Sequence, residues 1–472
     1  MFGERRVAAA RVAAAMAAMA IGTGVTSIEV QHGGTAAQAA SAGLTGPLAV
    51  SGTHVVDLGA SSRSVVLQGV DILAEATGTT VSGLMDDRAL ATVEDWGASD
   101  IRVQVSSDAV LHECSNEVYD PNYASELSGV VSQLTGHGIY VILDVEQTNP
   151  GCHFTSPQGS AVAPLPGDDV NQALALLVRT YAGNRLVGFE PFNEPQACAV
   201  ATTGPGAALF VASYGQGGYC KNETLAALAW SNPGTVTAGD QRILGIPIST
   251  FSYHAPGMNA LYSTIMQNVP AGDAAPLVFL DANYFASDPA TFDNLSGSLA
   301  SASNIVEVFH PYDCQDTSAA TSDGHQNANC KESNPESCPT VAKNLQRYLV
   351  DPASGGPVSR PVDFDEFNFP WGEHSYQYPG PAGIYVPILT YQHGYWMNNM
   401  ISAMQHDGVA GWDTFYMQNA DVNDWDGSYS MFASGITPST ATPWPVNANA
   451  GPVVGAMGGQ TLGCEQPPPG FG

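Results

Sequence analysis

Short apolar runs bounded by polar or turn-forming residues recur along most of the chain, and such runs are typical of buried strands. Eight of them stand out, at residues 64–71, 100–105, 139–145, 186–195, 276–281, 305–310, 361–367 and 409–416. Amphipathic helical patterns separate the first few runs, at residues 86–95, 123–137 and 169–181. Strands that alternate with helices pair in parallel through right-handed crossovers. The pattern therefore predicts an α/β fold, a closed (β/α)8 TIM barrel, in which functional residues lie at the carboxyl ends of the strands.

The segments outside the barrel pattern predict one domain with long loops. Residues 48–57 alternate between apolar and polar positions, which predicts a short N-terminal β-hairpin. Residues 197–240 form a long excursion rich in glycine, alanine and serine, with a helix predicted at 223–231. A chain of 472 residues, 44% of them hydrophobic, can fill one large barrel core. We predict a single domain over residues 43–465 and a proline- and glycine-rich tail at 466–472.

The N-terminal segment predicts export. Arg5, Arg6 and Arg11 precede an alanine-rich apolar stretch, and small residues at 37–42 offer cleavage sites. This order is typical of a cleaved signal peptide. The stretch is interrupted by glycines and is short for a membrane span, and no later segment has the apolar length of one. We therefore predict that residues 1–42 are a signal peptide and that the protein is secreted.

The charge balance narrows the range of partners. The chain has 44 acidic and 14 basic residues, a formal net charge of −30. Such a surface repels nucleic acid and anionic lipid, so we expect neither as a partner. It favours a neutral substrate.

Eight cysteines form an even set in a chain predicted to be exported, at positions 114, 152, 198, 220, 314, 330, 338 and 464. This favours disulfides over metal sites, and no pair has Cys-x-x-Cys spacing. We predict the pairs Cys114–Cys152 and Cys198–Cys220, because the barrel would bring the loops of each pair together. The other four cysteines allow three pairings, among which the sequence does not choose.

Two glutamates end predicted strands. The run at 186–195 finishes in Asn193-Glu194-Pro195, where the proline stops further strand pairing, and the run at 361–367 contains Glu366. A carboxyl group half withdrawn from water at the mouth of a buried strand is suited to general acid work. In a barrel, strands four and seven lie on opposite sides of the mouth, so their carboxyl groups can face one bond. Two such groups indicate a glycosidase, whereas either glutamate alone could be an ordinary loop residue.

Taken together, these segments resemble glycoside hydrolase family 5, the cellulase family, over roughly residues 48–430. In chain order the matching segments are the hairpin and first strand at 48–71, Ile101-Arg102, Phe192-Asn193-Glu194-Pro195, Phe309-His310-Pro311-Tyr312 and Asp365-Glu366-Phe367. The resemblance implies that Glu194 is the acid/base and Glu366 the nucleophile. It also implies a retaining mechanism, with about 5–5.5 Å between the two carboxyl groups.

The resemblance assigns further roles. Asn193 would hydrogen-bond the sugar 2-OH, and Arg102 would lie beside Glu366 and keep it ionised. The alternative for Arg102 is a structural ion pair inside the barrel. His310 and Tyr312 lie two residues apart and so point to one side, His310 towards substrate and Tyr312 beside the nucleophile. The alternative for a lone strand histidine is a packed core residue.

Three positions depart from the family pattern. Glu146 follows the third strand where many members carry a histidine, and it would add a third carboxylate to the site or face away from it. The family's stacking tryptophan after strand eight aligns with Phe415, with Trp412 three residues earlier, and core packing is an equal alternative for both rings. Strand one ends in Asp71 where asparagine is commoner. These changes leave the substrate open.

The sequence thus predicts a secreted retaining β-glycosidase that cleaves a β-linked glycan or glycoconjugate by double displacement. The alternatives are a transglycosylase on the same scaffold and a carbohydrate-binding barrel without activity. We expect a carbohydrate substrate, no cofactor, no metal and a monomer. Cellulose, mannan, xyloglucan, other glucans and glycolipids are not separated by these residues.

Overall fold

The computed structural model describes residues 43–59, 62–74, 85–111, 121–146, 165–195, 209–213, 223–239, 242–243, 246–247, 251–311, 338–367, 393–414, 417 and 451–465. The predicted signal peptide and tail lie outside these residues, as do Tyr312, Phe415 and six of the eight cysteines. Those predictions remain predictions.

The strands, in chain order, are β1 (Leu48–Ser51), β2 (His54–Asp57), β3 (Arg63–Val65), β4 (Leu67–Ala74), β5 (Asp100–Val105), β6 (Tyr140–Val145), β7 (Val187–Glu190), β8 (Leu209–Ser213), β9 (Gly234–Gly239), β10 (Arg242–Ile243), β11 (Ile246–Pro247), β12 (Phe251–Ala255), β13 (Val278–Asp281), β14 (Ile305–Val308), β15 (Val362–Phe367) and β16 (Gly411–Thr414). The α-helices of the described residues are α1 (Asp87–Trp96), α2 (Ser107–Leu111), α3 (Tyr123–Gly136), α4 (Asp168–Tyr181), α5 (Glu223–Ser231), α6 (Met258–Asn268), α7 (Asn283–Ala286), α8 (Gly297–Ala300), α9 (Cys338–Leu349), α10 (His393–Asp407) and α11 (Gly451–Met457). A 3₁₀ helix spans Pro289–Asn294.

Eight of the strands close into a parallel barrel in the order β13-β14-β15-β16-β4-β5-β6-β7. The predicted (β/α)8 barrel is therefore confirmed, and all eight predicted runs supply a barrel strand. The strands are buried on both faces, as parallel sheets covered by helices are, which is why the sequence shows them as nearly continuous apolar runs.

The N-terminal hairpin is also confirmed and is extended by a third strand. Strands β1, β2 and β3 form an antiparallel sheet. Its buried side chains include Leu48 and Val55, which join a core cluster with Leu67, Tyr140 and Leu277 from the amino-terminal ends of barrel strands. The small sheet therefore covers the bottom of the barrel, opposite the end at which the carboxyl groups lie.

A second core cluster lies between the barrel and its helices. Helix α3 shows how the sequence directs its packing, since its buried residues recur at helical spacing, namely Tyr123, Leu127, Val130, Val131 and Leu134. Each such side chain stabilises the fold by about 1.5–3 kcal/mol through burial alone. The helix is followed by Gly138, whose φ of 77° suits the left-handed turn that carries the chain into β6.

The excursion at 197–240 contains structure that the sequence did not predict. Strands β12, β9 and β8 form a separate three-stranded sheet in that order, partly parallel and partly antiparallel. Strands β8 and β12 are only five residues long, and β9 is rich in glycine, threonine and alanine, so none of them has the long apolar run of a predicted barrel strand. Helix α5, by contrast, has the bounds that its pattern predicted.

Cys338 and Cys464 form a disulfide that ties the start of α9 to the C-terminal segment, 126 residues away. This is one of the pairings that the sequence left open. None of the helices in the described ranges combines the length and hydropathy that a membrane span requires.

Candidate active site

Glu194 and Glu366 meet at the carboxyl end of the barrel. Glu366 lies in β15, and Glu194 lies four residues after the end of β7. The backbone N–H of the preceding residue, Asn193, donates to the Val145 carbonyl at 3.1 Å and so attaches this segment to β6. One carboxylate oxygen of Glu194 lies within 4.8 Å of one of Glu366. The Glu194 side chain keeps 19% of its surface exposed and that of Glu366 keeps 7%, so both line the mouth of the barrel rather than its dry interior.

His310 stands between the two glutamates. Its Nδ1 lies 3.1 Å from Glu194 Oε1 and 3.6 Å from Glu366 Oε2, and its Nε2 lies 3.1 Å from Asp365 Oδ1. Burial alone would lower the pKa of His310, but the carboxylates around it, Glu366 and Asp281 foremost, raise that pKa well above its ordinary value. The ring is therefore an imidazolium that donates from both nitrogens, to Glu194 and to Asp365.

Arg102, on β5, is fully buried and binds several carboxylates at once. Its Nε and Nη2 form a paired contact with Glu190 at 2.8 and 2.7 Å, while Nη1 donates to Glu366 at 2.9 Å and to Asp71 at 3.3 Å. Burial would lower the pKa of Arg102, but the surrounding carboxylates, Asp144 and Glu190 first, raise it well above its usual value. Both interpretations from the sequence describe real contacts, since Arg102 is an interior ion-pair residue and also touches Glu366.

Asn193 and Glu146 lie together beside this pair. Asn193 Nδ2 donates to Glu146 Oε1 at 2.9 Å, and Asn193 Oδ1 accepts from Arg102 Nη2 at 2.9 Å. Glu146 therefore faces the site, which was one of its two predicted orientations. Gln104 adds a contact that the sequence did not predict, from Nε2 to Glu366 Oε2 at 3.3 Å.

Trp412 lies outside the site. Its ring is fully buried in the core cluster and packs edge-on against Phe367, with 6.1 Å between ring centroids. A ring with no exposed face cannot stack against a sugar, so the structure corrects Trp412 as a candidate platform and bears out the core-packing alternative. Phe415 and Tyr312 lie outside the described residues.

The interior of the barrel holds more carboxyl groups than the sequence predicted. Fully or almost fully buried carboxyl groups around Arg102 and His310 are those of Asp71, Asp144, Glu190, Asp281, Asp365 and Glu366. Burial raises the pKa values of Asp71, Asp144, Glu190 and Asp281 above their ordinary values, because a charged carboxylate is costly in a dry interior. The sequence signal that could have revealed these groups is the alternation along each strand, because side chains two residues apart face the same way into the barrel.

A second pair of buried carboxyl groups, those of Asp100 on β5 and Asp413 on β16, lies on either side of β4. Gly69 on β4 pairs with Asp100 on one side and Asp413 on the other, and a Cβ on Gly69 would collide with the Asp413 carboxylate. The Asp100 and Asp413 carboxyl groups are neighbours, and burial raises the pKa of Asp100 to about 7. Glycine at this position thus makes the space in which the two carboxyl groups meet.

Two groups of ligand atoms lie within 4.8 Å of one another, a spacing that a metal ion could bridge. They are Glu190, Asp281, His310 and Asp365, and Glu194, His310 and Glu366. In both groups His310 already uses its nitrogens in hydrogen bonds, and Arg102 pairs with Glu190. Protonated side chains therefore already supply positive charge at these positions.

A closed (β/α)8 barrel with two carboxyl groups facing each other at the carboxyl ends of its strands defines the class of the protein, a barrel glycoside hydrolase. Residues 67–351 match the model of the cellulase family, glycosyl hydrolase family 5. The chain belongs to that family and hydrolyses β-glycosidic bonds. No curated protein matches it significantly.

Several solved structures share the fold. The β-glucanase of Saccharophagus degradans is 15% identical with a TM-score of 0.51, and the alignment covers 88% of this chain and 93% of that one. The same enzyme in complex with cellotetraose gives a TM-score of 0.50 at 15% identity, over 88% of this chain and 93% of that one. The catalytic domain of the major endoglucanase of Xanthomonas campestris is 14% identical with a TM-score of 0.50, over 87% of this chain and all of that domain (100%).

Proposed function

We propose that the protein is a secreted, retaining β-glycosidase in which Glu366 is the nucleophile and Glu194 the acid/base. The observation that carries the proposal is the approach of the two carboxylates to within 4.8 Å, with His310 hydrogen-bonded beside them. A separation of about 5–5.5 Å is what double displacement requires, whereas inversion needs about 6.5–9.5 Å to admit a water between the groups. Membership of family 5 supports the same mechanism.

In the first step Glu366 attacks the anomeric carbon while Glu194 donates its proton to the departing glycosidic oxygen. A bond forms between a Glu366 oxygen and the anomeric carbon as the glycosidic C–O bond breaks. Arg102 and Gln104 both donate to Oε2 of Glu366 and so hold the carboxylate in place. The two donors also stabilise the ionised carboxylate that attack needs.

In the second step Glu194 takes a proton from water, and the water oxygen displaces Glu366 with a second inversion. The imidazolium of His310, 3.1 Å from Glu194 Oε1, stabilises the ionised Glu194 that acts as the base. Asn193 is held on both sides, by Arg102 and Glu146, and is available to the sugar 2-OH, where a hydrogen bond strengthens in the transition state.

We propose a neutral β-glucan as the substrate. The net charge of −30 disfavours polyanionic glycans, and Glu146 places a further carboxylate beside Asn193. The Saccharophagus enzyme of similar fold binds cellotetraose. We further propose that residues 1–42 are removed on secretion and that the enzyme acts as a monomer.

The proposal is tested by trapping the intermediate. A 2,4-dinitrophenyl 2-deoxy-2-fluoro-β-cellobioside should inactivate the enzyme and attach one sugar, and peptide mapping should find it on Glu366. Proton NMR of cellotetraose hydrolysis should show the β-anomer as the first product. A first-formed α-anomer, or a label on another carboxylate, would refute the assignment.

Substitution separates the two roles. Glu366→Ala should abolish turnover even of aryl glycosides with good leaving groups, because no covalent intermediate can form. Glu194→Gln should slow glycan hydrolysis far more than it slows glycosylation by 2,4-dinitrophenyl cellobioside, whose leaving group needs no proton. Glu146→Gln is the matched control, a neighbouring glutamate without a proposed proton-transfer role, and should leave the dependence on leaving group unchanged.

A further inference from the structure

Backbone conformations that L-residues rarely adopt are concentrated around Glu194. Among the described residues, the non-glycine residues with positive φ are Ser62, Glu194, Phe285 and Ala286. Three of these four, Glu194, Phe285 and Ala286, lie at or beside the proposed acid/base. Such conformations persist only where surrounding contacts hold them, and they cluster at functional positions. The contacts that hold Glu194 at a φ of 46° therefore bear on how its carboxyl group is aimed.

The end of β13 supplies those contacts. The buried carboxylate of Asp281, the last residue of β13, accepts a hydrogen bond from the Glu194 backbone N–H at 2.5 Å. Four residues later Phe285 N donates to Pro195 O at 3.3 Å, so the segment after β13 holds the chain on both sides of the Glu194 peptide. Ala286 O accepts from His310 N at 3.0 Å, which attaches the histidine to the same segment.

Asp281 is itself fixed. Its carbonyl accepts a hydrogen bond from the buried Trp230 ring nitrogen at 3.2 Å, and the following residue, Ala282, donates to Val308 O at 3.1 Å. A side chain on a strand end held in this way can orient a neighbouring backbone more tightly than one on a loop can.

We propose that Asp281 is a positioning residue for the acid/base, which acts by accepting the Glu194 N–H and so keeping Glu194 in the left-handed conformation that aims its carboxyl group at His310 and the glycosidic oxygen. The inference rests on the proposed role of Glu194. It assigns no contact between Asp281 and substrate.

The hydrogen-bonding oxygen, rather than the charge, is the feature that matters in this inference. Asp281 Oδ2 also lies 3.7 Å from His310 Nε2, and the carboxylates of Glu190 and Asp365 and the guanidinium of Arg102 act on it electrostatically. Burial raises the pKa of Asp281 well above its ordinary value, and the neighbouring Glu190 adds to that shift. A neutral group with an oxygen in the same place is therefore a close substitute, and asparagine provides it.

The test uses three variants, Asp281→Asn, Asp281→Ala and Asp281→Glu, in the full-length enzyme. Each is titrated with the 2-fluoro-cellobioside, so that rates are given per active site able to form the glycosyl-enzyme. The measured quantity is the dependence of kcat/KM on leaving-group pKa across a series of aryl β-cellobiosides. Asp363→Ala is the matched control, because it removes a fully buried barrel aspartate that lies on β15 rather than at the end of β13.

We expect Asp281→Ala and Asp281→Glu to steepen this dependence, with a loss of at least 100-fold for poor leaving groups and less than tenfold for 2,4-dinitrophenolate. Alanine lacks the acceptor, and glutamate displaces it while keeping the charge. Asp281→Asn and Asp363→Ala should keep the wild-type slope per titrated site. In a Glu194→Gln background, Asp281→Ala should cause no further loss on poor leaving groups, because the group that it positions is already absent.

A wild-type slope in both Asp281→Ala and Asp281→Glu would overturn the inference. So would a steep slope in Asp281→Asn, which would indicate a role for charge instead. If Asp281→Ala yields no titratable enzyme, the comparison of Asn with Glu decides. Failure of the underlying function looks different, since the 2-fluoro sugar would then label no residue, or one other than Glu366, in the wild-type enzyme.

Discussion

Asp100→Asn should make the stability of the protein less dependent on pH. Asp100 begins β5, is fully buried, and has a pKa raised by burial to about 7 from an ordinary 3.8. A carboxyl group whose pKa is raised on folding holds its proton more tightly in the native state. Its cost to stability is absent below about pH 4, grows as the pH rises to about 7, and is complete above that.

The size of the effect follows from the two pKa values. The difference between 3.8 and about 7, at about 1.4 kcal/mol per pH unit, is about 4 kcal/mol of native-state stability lost at alkaline pH. Asparagine cannot ionise, and its amide can donate to the neighbouring Asp413 carboxyl group. The variant should therefore match the wild type near pH 4 and exceed it by about 4 kcal/mol at pH 8, which for a domain of this length is a gain of about 5 °C in Tm.

The assay is urea unfolding followed by tryptophan fluorescence from pH 4 to 8 at constant ionic strength, with thermal scans as a second measure. Asp351→Asn is the control. The backbone N–H groups of Ser354 and Ala353 lower the pKa of Asp351, so its contribution to stability is present above about pH 4 and is lost only as the pH falls through the lowered value. This variant should therefore keep the wild-type pH dependence between pH 4 and 8. If wild type and Asp100→Asn lose stability in parallel between pH 4 and 8, Asp100 does not hold a proton in the native state and the reasoning fails.

Three further outcomes are expected. Arg102→Met should destabilise the fold by about 3–5 kcal/mol, because it leaves buried carboxylates without their cation. The free energy of unfolding measured in urea should fall more at pH 8 than at pH 5. An equal fall at both pH values would indicate lost packing alone. Trp412→Ala should cost about 3–5 kcal/mol of stability by leaving a core cavity, while the KM for the glycan stays within about twofold of the wild-type value. A tenfold rise in KM would restore Trp412 as a sugar platform. Cys338→Ser should lower stability by about 2–5 kcal/mol, because the disulfide that it removes closes a long loop. Non-reducing peptide mapping of the wild type should recover the Cys338 and Cys464 peptides joined to each other. An unchanged Tm in the variant would contradict the stabilising role.

The barrel could be predicted from the sequence because its strands are marked locally. Strand β5 has the predicted bounds of 100–105, and helix α5 those of 223–231, since apolar periodicity and flanking turn residues are properties of short segments. The positions of Glu194 and Glu366 near strand ends follow from the same local reasoning, as does the N-terminal hairpin. The sheet of β8, β9 and β12 was missed because its strands are only five or six residues long and β9 is rich in glycine, threonine and alanine.

The surroundings of the two glutamates could be predicted only in part, because they depend on barrel closure. The family resemblance placed Arg102 beside Glu366, 264 residues away, but nothing in the sequence indicated its paired contact with Glu190, 88 residues away. Trp412 illustrates the same limit, since only the register of β16 shows that its ring faces the helices while the neighbouring Asp413 faces Asp100.

The sequence by itself determined the class of fold and the residue types able to cleave a glycosidic bond, because both are properties of short segments. Tertiary structure alone decided that a strand-end aspartate, Asp281, meets the Glu194 backbone and that six buried carboxyl groups surround Arg102 and His310. Closing eight tilted strands into a ring turns every second side chain towards one axis, and this brings together groups whose charges and protons are shared only in the folded protein.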